Sequence, residues 1–238
     1  MNVKFDKLYK RYSLIIIVIS EYDHRLLYLT KIWNMYSRYL EKIIKGKLHS
    51  GKAVIVLGPR QVGKTTLIQN ILGTRHYLFL NGDDPKTRNL LKEPSTEQIR
   101  AIIGKHDTIF IDEAQRIENI GLTMKIITDI FKDKQLFASG SSSFDLSNEV
   151  NEPLTGRKWE YQLYPISWEE YENHHGLLHT TQDFENRLLY GFYPDVLNNP
   201  ADEVSILRNL INSYLYKDIL SYANIRKPEI LEKLVQAI

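Results

Sequence analysis

The sequence predicts an α/β fold in which a parallel sheet is covered by helices on both faces. Three observations carry that expectation. Short apolar runs of strand length alternate along the chain with segments whose apolar residues recur at helical spacing. One such run, Ala53-Val-Ile-Val-Leu57, leads directly into a loop bounded by glycines. Another, Ile109-Phe-Ile111, leads into two adjacent carboxylates, Asp112 and Glu113. Open parallel sheets place their ligand sites at the carboxyl ends of strands, which is where both features fall.

The first 34 residues differ from the rest. Lys4, Lys7, Lys10 and Arg11 precede Leu14-Ile-Ile-Ile-Val-Ile19, an order resembling a signal sequence. The apolar stretch is too short to span a bilayer, and Glu21-Tyr-Asp-His-Arg25 stands where a small-residue cleavage site would be. An added strand, a peripheral anchor and translated sequence upstream of the natural start are the three readings, and the last is preferred. Met35 precedes Tyr36-Ser-Arg-Tyr-Leu-Glu-Lys-Ile-Ile44, predicted to be an amphipathic helix that leads into the first strand at Ala53. After the glycine loop, Thr66 to Leu72 is apolar at helical spacing and stops at Gly73. His76 to Leu80 reads as a second strand, closed by Asn81-Gly-Asp-Asp-Pro85. Ser95 is placed as an N-cap, with Gln98 completing a capping box, for a helix ending near Ile103. The third strand is 108–112, an amphipathic helix runs from Ile120 to Phe131, and Gln135–Ser139 and Trp159–Leu163 are the fourth and fifth strands. From about Ser167 the pattern is mainly helical. The last segment, Pro228 to Ile238, carries no C-cap signal, so the chain is expected to be cut short there.

The loop Gly58-Pro-Arg-Gln-Val-Gly-Lys-Thr65 fits the pattern G-x-x-x-x-G-K-[ST] at every fixed position, between a strand and a helix. A phosphate chain has to be held without bulky side chains intervening. Gly58 and Gly63 let the backbone curl so that successive N–H groups point inward, and the following helix adds the positive end of its dipole. Lys64 is expected to reach the β- and γ-phosphates, and the Thr65 hydroxyl to ligate Mg²⁺. Thr66 is either a second phosphate contact or a residue of the first helical turn. Pro59, Arg60, Gln61 and Val62 complete the loop, with Arg60 and Gln61 either touching phosphate or setting its shape. Asp112 is the expected second Mg²⁺ ligand, directly or through water, and Glu113 the residue that polarises the attacking water.

Composition narrows the rest. The chain has 238 residues, enough for one sizeable core, with 43% apolar and 25% charged residues. It has no cysteine, which excludes disulfides and Cys-ligated metals and fits a reducing compartment, so a cytoplasmic location is expected. The net charge is +2, with basic residues crowded into the first 52 positions and a slightly acidic remainder, so no nucleic-acid-binding face is expected there. His174-His175 and Trp168-Glu-Glu-Tyr171 match no metal-ligand spacing and are read as helix-surface and packing residues.

Several motifs agree in order and spacing with one family. The chain resembles the prokaryotic AAA+-type ATPases in which a P-loop domain precedes a C-terminal domain of unknown function. The runs that carry the resemblance are Gly58 to Leu67, Ile109-Phe-Ile-Asp-Glu-Ala-Gln115, Ala138-Ser-Gly-Ser-Ser-Ser143, Leu154-Thr-Gly-Arg157, Leu163-Tyr-Pro-Ile-Ser167, Gly191-Phe-Tyr-Pro-Asp195 and Tyr214-Leu-Tyr-Lys-Asp-Ile219. Together they cover about residues 36–222. The resemblance implies a P-loop NTPase fold, a five-stranded parallel sheet sandwiched by helices, with the extra strand between the phosphate-loop and Walker B strands and a helical lid beyond. It divides the chain into an extension at 1–34, a core at 35–166, a lid at 167–215 and the start of a truncated C-terminal domain at 216–238. It also implies ATP as the nucleotide, since no N-K-x-D motif is present to read a base. By the same resemblance Ser139, or Ser141 beside it, is the sensor that hydrogen-bonds water or γ-phosphate. Arg157 is the phosphate-sensing arginine, acting within the subunit or on a neighbour. Pro194 packs against adenine, although Tyr190 stands where the family's usual double glycine would begin.

The function expected is Mg²⁺-dependent ATP hydrolysis coupled to the lid or to the C-terminal domain. A nucleotide-gated interaction module with little intrinsic turnover is the first alternative, and a non-functional truncated remnant the second. A small-molecule kinase is disfavoured, because a glutamate next to the Walker B aspartate best serves water. A protein or nucleic-acid partner is expected through the C-terminal region and no membrane partner, with the oligomeric state left open.

Overall fold

Five strands and the helices between them are built from the predicted runs, with their boundaries set by pairing. The computed structural model describes residues 35–141 and 153–211. The expectations for 1–34, Ser142, Ser143, Tyr214–Ile219 and 216–238 lie outside the described residues. In chain order the elements are α1 (Tyr39–Lys45), β1 (Ala53–Leu57), α2 (Lys64–Leu72), β2 (Leu78–Asn81), α3 (Pro85–Leu91), α4 (Thr96–Ile103), β3 (Thr108–Asp112), a 3-10 turn (Ala114–Arg116), α5 (Ile120–Ile130), β4 (Gln135–Gly140), β5 (Lys158–Gln162), α6 (Trp168–His175), α7 (Leu177–Gln182), α8 (Phe184–Tyr190), α9 (Pro194–Asn198) and α10 (Glu203–Leu210). Among the described residues no helix is long and apolar enough to cross a membrane.

The sheet order is β2-β3-β4-β1-β5, and all neighbouring strands are parallel. β4 therefore lies between the strand that feeds the glycine loop and the strand that ends in Asp112. Successive side chains of a strand point to opposite faces, and here the two faces have separate cores. Ala53, Ile55 and Leu57 of β1 join Ile109 and Ile111 of β3 beneath Leu91, Ile99, Ile103 and Met124 from α3, α4 and α5. Val54 and Val56 join Phe110 and Phe137 on the other face, against Ile44 of α1 and Leu67, Ile68 and Ile71 of α2. A strand buried on both faces reads as a continuous apolar run, which is why β1 and β3 were legible as such. The edge strands β2 and β5 are only partly buried.

Several boundaries differ from expectation. α1 begins at Tyr39 rather than Tyr36, because Arg38 takes an extended conformation as its N-cap. β2 begins at Leu78 rather than His76, since its pairing to β3 starts at Leu78 opposite Ile109; the His76 ring stacks on His106 instead, centroids 4.7 Å apart. α3 was not expected at all. Asp84 caps it by accepting hydrogen bonds from the N–H groups of Lys86 and Thr87, and Pro85 supplies the first helical position. The capping box of Ser95 and Gln98 forms as read.

Phe137 is fully buried on the central strand and pairs across the sheet with Phe110. Truncating it to alanine leaves a cavity between two layers, and Phe137→Ala is expected to cost about 3–5 kcal/mol. A urea unfolding curve measures this, with a lowered midpoint and an unchanged slope expected.

Candidate functional site

The loop after β1 is held in a shape that few side chains would permit. Gly58 has φ of 156°, and a Cβ there would sit 2.2 Å from the Leu163 carbonyl oxygen. Gln61 and Gly63 both have positive φ, 61° and 93°. α2 then starts at Lys64 with no side-chain cap and no acidic residue in its first turn. By contrast, α4 and α6 are each closed by a capping box. The first N–H groups of a helix lack intrahelical partners, so α2 presents a donor-rich, electropositive mouth suited to an anion.

The side chains around that mouth form a connected set. Lys64 is buried, and its Nζ donates to the carbonyls of Gly58 at 2.9 Å and Pro59 at 2.8 Å, closing the loop on itself. The Thr65 hydroxyl donates to Asp112, at 2.9 Å to Oδ2 and 3.1 Å to Oδ1. The Ser139 hydroxyl donates to Oδ1 of the same carboxylate. Register explains this convergence: Ile111 pairs with Ala138, so the next residues, Asp112 and Ser139, emerge level with each other. Glu113 follows in the left-handed region, with φ of 50°. An arrangement of that kind in a non-glycine residue costs about 1–3 kcal/mol and has to be enforced by its surroundings. Gly82 leaves room for it here. Its N–H donates to the Asp112 carbonyl at 2.8 Å, and a Cβ on it would lie 2.3 Å from the Glu113 carbonyl oxygen. The Glu113 carboxylate accepts from Gln115 Nε2 at 2.7 Å.

A cavity of about 370 Å³ opens over these groups. Gln61, Gly63, Lys64, Thr65, Thr66 and Glu113 line one side, and Pro194, Asp195 and Asn198 of α9 line the other. The predicted residues thus divide. Thr66 and Pro194 reach the cavity, whereas Pro59, Arg60 and Val62 do not line it, and Val62 packs in the core beneath α2. Asp112 and Ser139 stand behind Thr65, and Ser141 is buried just past β4. Arg157 requires a correction as a residue acting within the subunit. Its Nε pairs with Asp129 of α5 at 2.6 Å, and its carbonyl accepts from the N–H of Ala53, the first residue of β1. It therefore lies at the amino end of the sheet, about 16 Å of strand from the loop that follows Leu57. Sequence reading missed Gly82, Gln115, Asp195 and Asn198. The last two were within reach, since they follow Pro194 at positions one helical turn apart.

The donors suit Mg²⁺. It takes hard oxygen ligands in an octahedron at about 2.1 Å, so neighbouring ligands sit about 3 Å apart, as the Thr65 hydroxyl and Asp112 carboxylate oxygens do. Among the described residues no cluster of three or more His, Cys, Asp or Glu could hold a metal alone.

A glycine loop between a strand and a helix, over a parallel sheet whose neighbouring strands end in a carboxylate and a hydroxyl, defines a P-loop NTPase fold. The chain belongs to the AAA domain family, whose family model matches residues 50–172. A domain of unknown function matches residues 181–238. An uncharacterized protein of Methanocaldococcus jannaschii is 20% identical over 220 residues, covering 84% of this chain and 49% of its own length. An uncharacterized protein of Haemophilus influenzae is 27% identical over 216 residues, covering 82% of this chain and 50% of its own. The chain spans about half the length of these relatives. Among solved structures, a Walker-type ATPase of Pyrococcus abyssi superposes with a TM-score of 0.51 at 15% identity, covering 85% of this chain and 76% of that one.

Gly58→Ala and Gly82→Ala each drive a methyl into a backbone carbonyl. Each is expected to destabilise by about 1–3 kcal/mol, read as a lowered melting temperature.

Proposed function

We propose that the chain binds Mg·ATP in the loop after β1 and hydrolyses it, with nucleotide state passed to the helices beyond β5. The observation that carries this reading is the shared carboxylate of Asp112, which joins the first turn of α2 through Thr65 and the tip of β4 through Ser139. That linkage supports a site where metal, phosphate and water are handled together. In the reaction the uncapped N–H groups of α2 hold phosphate oxygens, and Lys64 exchanges its loop carbonyls for the β- and γ-phosphates. Bound Mg²⁺ supplies charge neutralisation, held by Thr65 and Asp112. Glu113 orients a water for in-line attack, and Ser139 fixes Asp112. Pro194, Asp195 and Asn198 close over the nucleotide from α9, the element through which a lid responds.

A second reading is a nucleotide-gated interaction module with little turnover. It is favoured by the hydrogen bond from Gln115 to Glu113, which engages the carboxylate that hydrolysis needs, and by the distance of Arg157 from the loop. On this reading ATP shifts a conformational equilibrium and slow hydrolysis resets it.

A melting shift with Mg·ATP tests the binding. At a nucleotide concentration a hundred times Kd, stabilisation of about 2.7 kcal/mol is expected, and Lys64→Ala is expected to abolish it. The absence of a shift in the parent, or an equal shift in Lys64→Ala, ends the proposal. Turnover separates the two readings. Glu113→Gln should bind Mg·ATP normally while phosphate release falls about 10²–10⁴-fold. A parent rate already as low as that of Glu113→Gln favours gating.

A further inference from the structure

Arg38 is a buried guanidinium outside the cavity, and every arm of it is used. Nη1 donates to the Val62 carbonyl at 2.9 Å, Nη2 donates to the Tyr164 carbonyl at 2.6 Å and the Pro165 carbonyl at 3.3 Å, and Nε donates to Glu170 Oε2 at 3.1 Å. Glu170 is as heavily committed. Its Oε1 accepts from the Tyr39 N–H at the start of α1 at 2.7 Å, and its Oε2 accepts from the Ser167 N–H at the start of α6 at 2.9 Å. Arg38 and Glu170 are 8% and 6% exposed. Burial pushes the Arg38 guanidinium below its ordinary value, and the charge of Glu170 opposes that shift. Breaking such a pair leaves a buried charge without its partner, which is strongly unfavourable.

The contact with Val62 has a consequence inside the loop. No peptide in the described residues is cis, and in a planar trans peptide the C=O and the next N–H point in opposite directions. Arg38 holds the Val62 carbonyl outward, so the N–H of Gly63, the residue before α2, is aimed the other way. Gly63 lines the cavity. Rotation of that one peptide would replace an inward donor with an inward carbonyl, which repels phosphate. The same guanidinium grips the two carbonyls that follow Leu163 and the carboxylate that caps α6. The peptide's orientation and the seating of the first helix beyond the sheet are therefore fixed by one side chain.

We propose that Arg38 is a positioning residue that sets the Val62–Gly63 peptide for phosphate binding, and that its ion pair with Glu170 makes phosphate affinity depend on the seating of α6. The proposal rests on the nucleotide-binding reading above. It involves no contact between Arg38 and nucleotide, so loss of Arg38 weakens all polyphosphates alike, whatever base they carry.

Dissociation constants for Mg·ATP and for inorganic triphosphate are measured on the full chain, well below each variant's melting temperature. Arg38→Lys keeps a charge near Glu170 but has one nitrogen where the guanidinium spreads Nη1, Nη2 and Nε over Val62, Tyr164 and Glu170, so it cannot keep all three contacts in place. It is expected to weaken both ligands by the same factor, about tenfold. Glu170→Gln removes the ion pair yet leaves the Arg38 contact to Val62. It is expected to lower the unliganded melting temperature at least as much as Arg38→Lys and to cost a measurable but smaller part of the affinity; parental affinity in Glu170→Gln removes the coupling to α6. The proposal is overturned if Arg38→Lys binds triphosphate with the parent's affinity, or if affinity losses simply follow melting losses across the two variants. If the parent binds neither ligand, the nucleotide reading falls and takes this one with it. Binding by the parent with unaltered constants in Arg38→Lys removes this one alone.

Discussion

Asp112 is a carboxylate withdrawn from water, and its position is tolerable only because its oxygens are satisfied by Thr65 and Ser139. Those two hydroxyls belong to different elements. One lies in the first turn of the helix after the glycine loop, and the other near the tip of the central strand. The carboxylate therefore acts as a joint between α2 and the sheet. Its position follows from the parallel register of β3 and β4, which brings Asp112 and Ser139 out level. The apolar layers on the two faces of the sheet fix that register. A strand slip of one residue would send every buried side chain to the opposite face, so the site's geometry is protected by the hydrophobic cores rather than by local contacts alone.

The order of strands and most helices was legible because each rests on a local signal. β1 and β3 are unbroken apolar runs, α4 has its capping box, and the glycine loop has a fixed spacing. What sequence did not disclose depends on distance or on conformation. Arg38 and Glu170 are separated by 132 positions, and nothing near either residue announces the other. Gly82 stood in a turn-like string of small and polar residues, where its closeness to Glu113 had no local mark. Arg157 was assigned through resemblance, and its distance from the loop became apparent only once the parallel pairing of β5 with β1 set which end of the strand it occupies. α3 was missed although Asp84 and Pro85 carried an ordinary start signal, because the same residues also suit a turn.

Two devices hold the loop from opposite sides. Inside, Lys64 bridges the carbonyls of Gly58 and Pro59, an arrangement that a polyphosphate would have to displace. Outside, Arg38 ties the Val62 carbonyl to the segment after β5. On the proposed reading the inner tie is the one an anion would exchange, whereas the outer one is woven into two helix starts through Glu170. A loop held this way can trade one set of partners without losing its overall course, which is the behaviour expected of a preorganised anion site.

The unclosed start of α2 has a practical corollary. The first turn of α2 carries no side-chain cap and no acidic residue, so the positive end of its dipole favours small oxyanions near it. Sulfate and inorganic phosphate, both common in purification buffers, would then compete with nucleotide and stabilise the molecule in its place.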